Sequence, residues 1–278
     1  MPKVTIALPF YNNARYLLDT VRSVFAQTYQ DWELLLTDDG SSDRSLELAA
    51  ALHDSRVKIF SDGKNMGVSA RLNEMTCHAQ GELLLRLDAD DLMHPTRVAK
   101  IVAYFDAHPE TDAVFTACYE IDETNCITGW QPIIRRNTAQ EVLRKGFNPA
   151  PTLAIKSAWG AAHRYDERLP RGEDLALWCN CFSETTFGYI DKPLYYSRRI
   201  SGYSLRKYAI TIGDHSKVRL KYGPSLLGIP ATCILLLQGH AKIAVQAAAK
   251  CFGMTSLTRR WSLLPVPDDS IQEQQRTI

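Results

Sequence analysis

Leu83-Leu84-Leu85-Arg86-Leu87-Asp88-Ala89-Asp90-Asp91 is an apolar run that stops at a cluster of carboxylates. Leu83 to Leu87 has the length and apolar character of a strand buried on both faces, and the acids after it belong where solvent or a ligand can reach them. Toward the start of the chain, Val4-Thr5-Ile6-Ala7-Leu8, Trp32 to Leu36 and Val57-Lys58-Ile59-Phe60 read as three more strands. Between them, Ala14 to Ala26 carries Leu17, Leu18, Val21, Val24 and Phe25 at helical spacing, and Arg44 to Leu52, Val68 to His78 and Thr96 to Ala107 continue the alternation. This order predicts an α/β fold: a mainly parallel sheet over residues 1–117, with helices on both faces.

Ligands bind such sheets at the carboxyl ends of the strands. Asp38-Asp39 follows the second strand, Asn65 to Gly67 lies beyond the third, and Asp88 to Asp91 follows the fourth, which puts three polar clusters on one rim. Carboxylates at i and i+2, Asp88 and Asp90, suit one ribose and one divalent cation, because hard oxygen ligands favour Mg²⁺ or Mn²⁺. Acidic clusters also cap helices, and Asp91 lies shortly before Pro95 at an expected helix start. Asp39 is placed to accept a hydrogen bond from a base edge, with Gly40 allowing close approach, while Ser42 or Asp43 is a candidate helix cap. Arg71, one helical turn past Gly67, is either a functional cation or part of a solvated helix face. Arg171-Gly172-Glu173-Asp174 opens a helix expected from Asp174 to Phe182, and its acids serve either an acceptor or the helix N-terminus.

Together these pieces resemble the family 2 glycosyltransferases with the GT-A fold. The matching stretches are Leu8-Pro9-Phe10-Tyr11-Asn12, Asp38-Asp39-Gly40-Ser41-Ser42-Asp43, Asn65-x-Gly67-x-x-x-Arg71-x-Asn73, Gly81-Glu82, Leu87-Asp88-Ala89-Asp90-Asp91 and Glu173-Asp174, over roughly residues 3–204. The resemblance implies an inverting transfer of one sugar from a nucleotide diphosphate donor to a hydroxyl acceptor. It implies that Pro9, Tyr11 and Asp39 hold the nucleobase, Asp88 the ribose, and Asp90 a Mg²⁺ or Mn²⁺ ion bridging the diphosphate, with Arg71 among the nucleotide-sugar contacts. Asp174 would be the general base, kept ionised by its helix N-terminus. Arg199 looks like the arginine of the family's Tyr-Arg-x-His segment and would meet the diphosphate. Here the sequence departs from the pattern: Tyr196-Ser197-Arg198-Arg199-Ile200-Ser201 offers two arginines and has Ser201 where histidine is common.

The net charge of +1 conceals an asymmetry, since residues 1–200 hold 22 Lys+Arg against 27 Asp+Glu while residues 201–261 hold 9 against one. A catalytic domain over 1–204 and a basic helical region over 205–278 are expected. The apolar run Leu226 to Leu237 contains Pro230 and falls short of the ~20 residues that span a bilayer. Flanked by Lys217, Arg219, Lys221, Lys242, Lys250, Arg259 and Arg260, it suits either the surface of an anionic membrane or packing on the catalytic domain with solvated basic faces. Contact with a membrane would make a lipid-linked saccharide, as in bacterial-type surface polysaccharide synthesis, the expected acceptor. The Gln-x-x-Arg-Trp signature of processive relatives is absent, because Arg259-Arg260-Trp261 lacks the glutamine.

Seven cysteines without CxxC or zinc spacing suggest buried thiols in a reducing compartment, and a start at Met1-Pro2-Lys3 that runs straight into a strand suggests a cytoplasmic protein. An aspartate-nucleophile phosphotransferase would carry its Asp-x-Asp near the first strand. A nucleotidyltransferase would have a glycine-rich loop where Phe10-Tyr11-Asn12-Asn13 stands. Nucleic-acid binding lacks both a recognition motif and interleaved aromatics in the basic region. The remaining alternative is a non-catalytic scaffold or nucleotide-sugar-binding protein that keeps the fold, although such a protein would be expected to lose Asp90 or Asp174.

Overall fold

A computed structural model describes residues 1–199 and 205–251. In chain order the elements are β1 (Val4–Phe10), α1 (Leu17–Phe25), β2 (Trp32–Asp38), α2 (Ser45–Ala50), β3 (Val57–Ser61), α3 (Val68–His78), β4 (Leu83–Arg86), β5 (Leu92–Met93) and α4 (Arg97–Ala107). They continue with β6 (Ala113–Ile121), β7 (Ile127–Gln131), α5 (Ala139–Lys145), β8 (Leu153–Lys156), α6 (Ser157–Ala162), α7 (Glu173–Cys181), β9 (Phe187–Arg198), α8 (Leu205–Leu227) and α9 (Ile229–Cys251).

The strands form one sheet in the order β3-β2-β1-β4-β8-β6-β9-β5, with β7 paired to β6. β3, β2, β1 and β4 are mutually parallel. β8 is antiparallel to both β4 and β6, so β6 runs in the same direction as β4, and β9 is parallel to β6. The mainly parallel α/β sheet expected from the sequence is therefore present, with β5, β7 and β8 running against it. A hairpin joins β6 to β7, and Asn125 takes a positive φ of 67° in its turn.

Strand alternation divides the core in two. Ile6, Leu8, Leu34, Leu36 and Leu85 point to one face and are covered by Val21 and Val24 of α1 and by Val98 and Ile101 of α4. Ala7, Leu35 and Leu84 point to the other and pack with Met75 of α3, Trp159 of α6 and Trp178 of α7. Replacing a fully buried leucine such as Leu35 with Ala would cost about 2–5 kcal/mol through lost transfer energy and the cavity left behind. The register sets Phe10 beside Asp38 where β1 and β2 end, while Arg86, the last residue of β4, lies opposite Ala7, so the loop after β4 rises beside the ends of the other two strands.

The apolar run near residue 230 is divided between two helices. Leu226 and Leu227 close α8, Gly228 turns at φ 81°, and Ile229 opens α9. α8 packs on α5 and α7 and buries Ile212 and Val218, while α9 packs on α8, with Gly223 against Thr232 and Gly239 against Ile212 and Arg219. The outer face of α9 leaves Ile234, Leu237 and Val245 exposed to solvent. Arg219 is half-buried between the two helices rather than on a solvated face, and Arg259 and Arg260 lie outside the described residues. Among the described residues, no helix is long and apolar enough to cross a membrane. Six described cysteines are free thiols: Cys118, Cys179 and Cys181 are buried as expected, but Cys77, Cys126 and Cys233 are exposed.

Candidate active site

At the edge where β1, β2 and β4 end, a cleft of about 510 Å³ opens between that rim and the first turn of α7. Pro9, Tyr11, Asp39, Arg71, Asp88, Asp90 and Asp174, seven of the eight residues singled out in the sequence, line it.

Asp39 shows how the rim is built. Its carboxylate accepts hydrogen bonds from Met66 N at 2.7 Å and Gly67 N at 3.0 Å, at the N-terminus of α3, where exposed N–H groups and the helix dipole favour an anion. Arg71 Nε adds a third at 3.0 Å. Three of the four lone-pair directions are filled, leaving one for a base N–H. Of the two readings of Arg71, the solvated helix face does not hold, although Arg71 does line the cleft. Its guanidinium is 2 % exposed, and it also meets Asp62, Glu74 and the carbonyl of Lys64, so it fastens the 62–67 loop to Asp39 instead of standing on a solvated helix face. Gly40, at φ 74°, lies so close to the Lys64 backbone that a Cβ would sit 2.8 Å from its carbonyl carbon. The close approach this glycine permits is to the neighbouring loop. Neither Ser42 nor Asp43 is the residue before α2, but Asp43 accepts from Ser45 N at 2.9 Å within its first turn. Asn12, at φ 53°, accepts from Ser42 N at 2.7 Å and so clasps the loops after β1 and β2 together.

The acidic loop after β4 is held from behind by β9. Tyr195 Oη accepts from Asp88 N at 3.2 Å, Arg198 Nε donates to Asp90 O at 2.6 Å, and Arg198 N donates to Asp91 Oδ1 at 2.6 Å. Asp91 is buried, and desolvation together with the charges of Asp88 and Asp90 pushes its pKa well above the usual carboxylate range. It acts as a fastener for the loop, not as a cap for α4. The placement of Arg199 differs from the expectation. Its guanidinium pairs with Glu120 Oε1 at 2.9 Å, is 60 % exposed, and is not among the residues lining the cleft. Neighbouring residues on a strand point to opposite faces, and here Arg198 points inward, its guanidinium 4.5 Å from the ring centre of Tyr16.

On the opposite wall, Gly172 at φ 85° precedes Glu173 and Asp174, the first residues of α7. A side chain at Gly172 would also strike His215 of α8. Asp214 of α8 accepts from Arg171 N at 3.1 Å and from Lys217 Nζ at 2.6 Å, and Thr211 of α8 lines the cleft, so the C-terminal helices brace this wall. The helix N-terminus alone does not keep Asp174 ionised. Burial and the neighbouring Glu173 carboxylate raise its pKa to about 8, against the opposing pull of Arg86. Arg86 was not singled out in the sequence, although a cation inside a leucine run is a legible signal. Tyr195 gave no such signal.

Asp88 and Asp90 supply hard oxygen ligands, and among the described residues no group of three or more His, Cys, Asp or Glu could form a complete metal cage. Carboxylate oxygens such as those of Asp88 and Asp90 are of the kind that Mg²⁺ or Mn²⁺ takes, with substrate phosphates and water completing the shell.

The family model Glycosyl transferase family 2 matches residues 5–158. EpsE of Bacillus subtilis, named as a glycosyltransferase, is 32% identical over 222 residues, which cover 77% of this chain and 79% of EpsE. The chondroitin synthase of Escherichia coli is 26% identical over 78% of this chain, which spans 32% of that protein. Among solved structures, the mannosyltransferase PcManGT from Pyrobaculum calidifontis, in complex with GDP-Man and Mn²⁺, superimposes with a TM-score of 0.61 at 16% identity, covering 99% of this chain and 85% of that one.

Proposed function

The chain belongs to glycosyl transferase family 2, a glycosyltransferase with the GT-A fold, and on that premise we propose that it transfers a single sugar from a nucleotide diphosphate donor to a hydroxyl acceptor with inversion. The observation that carries this reading is the cleft that brings Asp39, Asp88 and Asp90 on one wall to face Asp174 on the other. The exposed ring of Tyr11 and the edge of Pro9 take the base, the open lone pair of Asp39 accepts from it, and Asp88 accepts from the ribose hydroxyls. Asp90 would hold a Mg²⁺ or Mn²⁺ ion, which would neutralise charge on the diphosphate leaving group. The acceptor oxygen attacks the anomeric carbon from the face opposite the diphosphate, the new C–O bond forms as the old one breaks with its electron pair going to the diphosphate, and Asp174 takes the hydroxyl proton. Inversion follows from a single displacement.

We assign residues 1–204 the catalytic body and 205–278 a C-terminal region whose α8 completes the acceptor wall, residues 252–278 lying outside the described ones. The exposed Ile234, Leu237 and Val245 on α9, together with an excess of Lys and Arg over acid from residue 201 to 261, support peripheral contact with an anionic membrane on its cytoplasmic face and a lipid-linked saccharide as acceptor. The match to a chondroitin synthase is in keeping with polysaccharide synthesis.

Incubation with uridine and guanosine diphosphate sugars, Mn²⁺ and a bacterial lipid extract tests the reading. Labelled sugar should enter the lipid fraction with wild type, while Asp90→Ala and a chelator should each abolish incorporation. Incorporation that survives both contradicts it.

A further inference from the structure

Arg86 occupies the last position of β4, where the side chains alternate so that Leu83 and Leu85 enter one core layer and Leu84 the other. Its guanidinium therefore emerges on the same face as Leu84, where it lines the cleft and is only 10 % exposed. Nε lies 2.9 Å from Asp88 Oδ1, and Nη1 lies 3.3 Å from Asp174 Oδ1 and 3.9 Å from Glu173 Oε1. Tyr165 also hydrogen-bonds to it from the loop that precedes α7. The two carboxylates it touches, Asp88 and Asp174, are partly exposed and come from opposite walls, 86 residues apart in the chain.

We infer that Arg86 is a positioning residue that ties the ribose-side carboxylate to the proton-accepting carboxylate and fixes the distance between donor and acceptor. The inference rests on the proposed roles of Asp88 and Asp174. Three carboxyl groups, those of Asp88, Glu173 and Asp174, converge on this one cation, which thereby links the two walls. Bridging needs a planar fork with N–H groups aimed in different directions, which arginine has. Lysine, a point charge on a flexible stem, supplies the charge without the fork. Arg86 therefore holds the acceptor hydroxyl's proton sink in register with the anomeric carbon, and a displacement of about 1 Å there costs on the order of 10²-fold in rate.

The test is a double-mutant cycle over Arg86→Lys, Asp174→Asn and the pair, read as nucleoside diphosphate release from UDP-GlcNAc and GDP-mannose with Mn²⁺, with the Kd of the free nucleoside diphosphate measured in parallel. Arg86→Gln serves as a second variant if the lysine form is poorly folded. Arg86→Lys is expected to lower kcat about 30-fold or more while changing Kd by less than about 3-fold, consistent with a misplaced base, whose loss costs ~10²–10⁴. In the Asp174→Asn background the same change is expected to cost almost nothing, because both variants disable one unit. Equal fold losses in both backgrounds, or an unchanged kcat in Arg86→Lys, overturn the inference. Turnover that survives Asp174→Asn alone instead overturns the reading of Asp174 as base.

Discussion

Arg71 Nε stands 3.0 Å from Asp39 Oδ1, with both side chains withdrawn from water, so the carboxylate proposed to meet the nucleobase is oriented by a buried cation one turn into α3. Breaking such a pair from one side leaves an uncompensated buried charge, at a cost of about 3–5 kcal/mol. Arg71→Gln is therefore expected to lower the Tm by roughly ten degrees or more for a domain of this size and to weaken nucleotide binding. Arg71→Lys should rescue neither fully, because it cannot meet Asp39, Asp62 and Glu74 together. Thermal melts with and without nucleotide check both effects.

The elevated pKa of Asp174, about 8, has two consequences of opposite sign. As a base, Asp174 must be ionised, so kcat/KM for the donor should climb as pH rises toward 8 and level off above it, whereas any residual activity of Asp174→Asn should lack that limb. For stability the sign reverses. A carboxyl whose folded pKa lies above its unfolded value favours the fold fully below the unfolded pKa and loses that contribution as pH rises through the folded one. Asp174→Asn should therefore melt higher than wild type at pH 9, with a smaller gap at pH 6. Identical pH profiles for the two proteins would remove Asp174 from the chemistry.

Helix α8 is expected to be indispensable to turnover. Asp214 accepts from Arg171 N and Thr211 lines the cleft. Asp214→Ala leaves a backbone donor unpaired, worth about 1–3 kcal/mol, and should lower turnover at least tenfold by loosening the turn before Asp174. A chain ending at residue 204 should be inactive. Full activity from either protein would make α8 a passive neighbour.

Cosedimentation with vesicles tests the outer face of α9. Leu237→Glu combined with Ile234→Glu should abolish binding to vesicles that contain phosphatidylglycerol. Wild-type binding should weaken as salt rises, since exposed charges are screened within ~8–10 Å near physiological ionic strength. Binding that persists in the double variant would place the contact elsewhere.

Much of the sheet was legible in the chain, because β1 to β4 are short, apolar and bounded by polar clusters, and parallel strands bring those clusters to one edge. The acids of the cleft were legible for the same reason, each lying just past a strand or at the start of a helix. The placements of Arg71, Arg198 and Arg199 were not. Whether Arg71 is solvated or buried depends on Asp62 and Glu74, which meet it only in three dimensions. Whether Arg198 or Arg199 faces inward depends on the register of β9 against β5 and β6, which no local pattern encodes. The raised pKa of Asp174 likewise depends on burial between α7 and the acidic loop, where the local helix N-terminus argued for the opposite direction.

The proposed chemistry requires that a nucleotide sugar and a divalent cation meet at Asp90. The most direct measurement is the thermal upshift of wild type and Asp90→Ala with a panel of uridine and guanosine diphosphate sugars, each with Mn²⁺ and with chelator, because a ligand that binds the native state raises its stability. At least one donor should raise the Tm of wild type by several degrees with Mn²⁺ and by far less with chelator, while Asp90→Ala, folded and melting near the unliganded wild type, should show no Mn²⁺-dependent shift. An equal shift in both proteins, or one indifferent to the chelator, would contradict it.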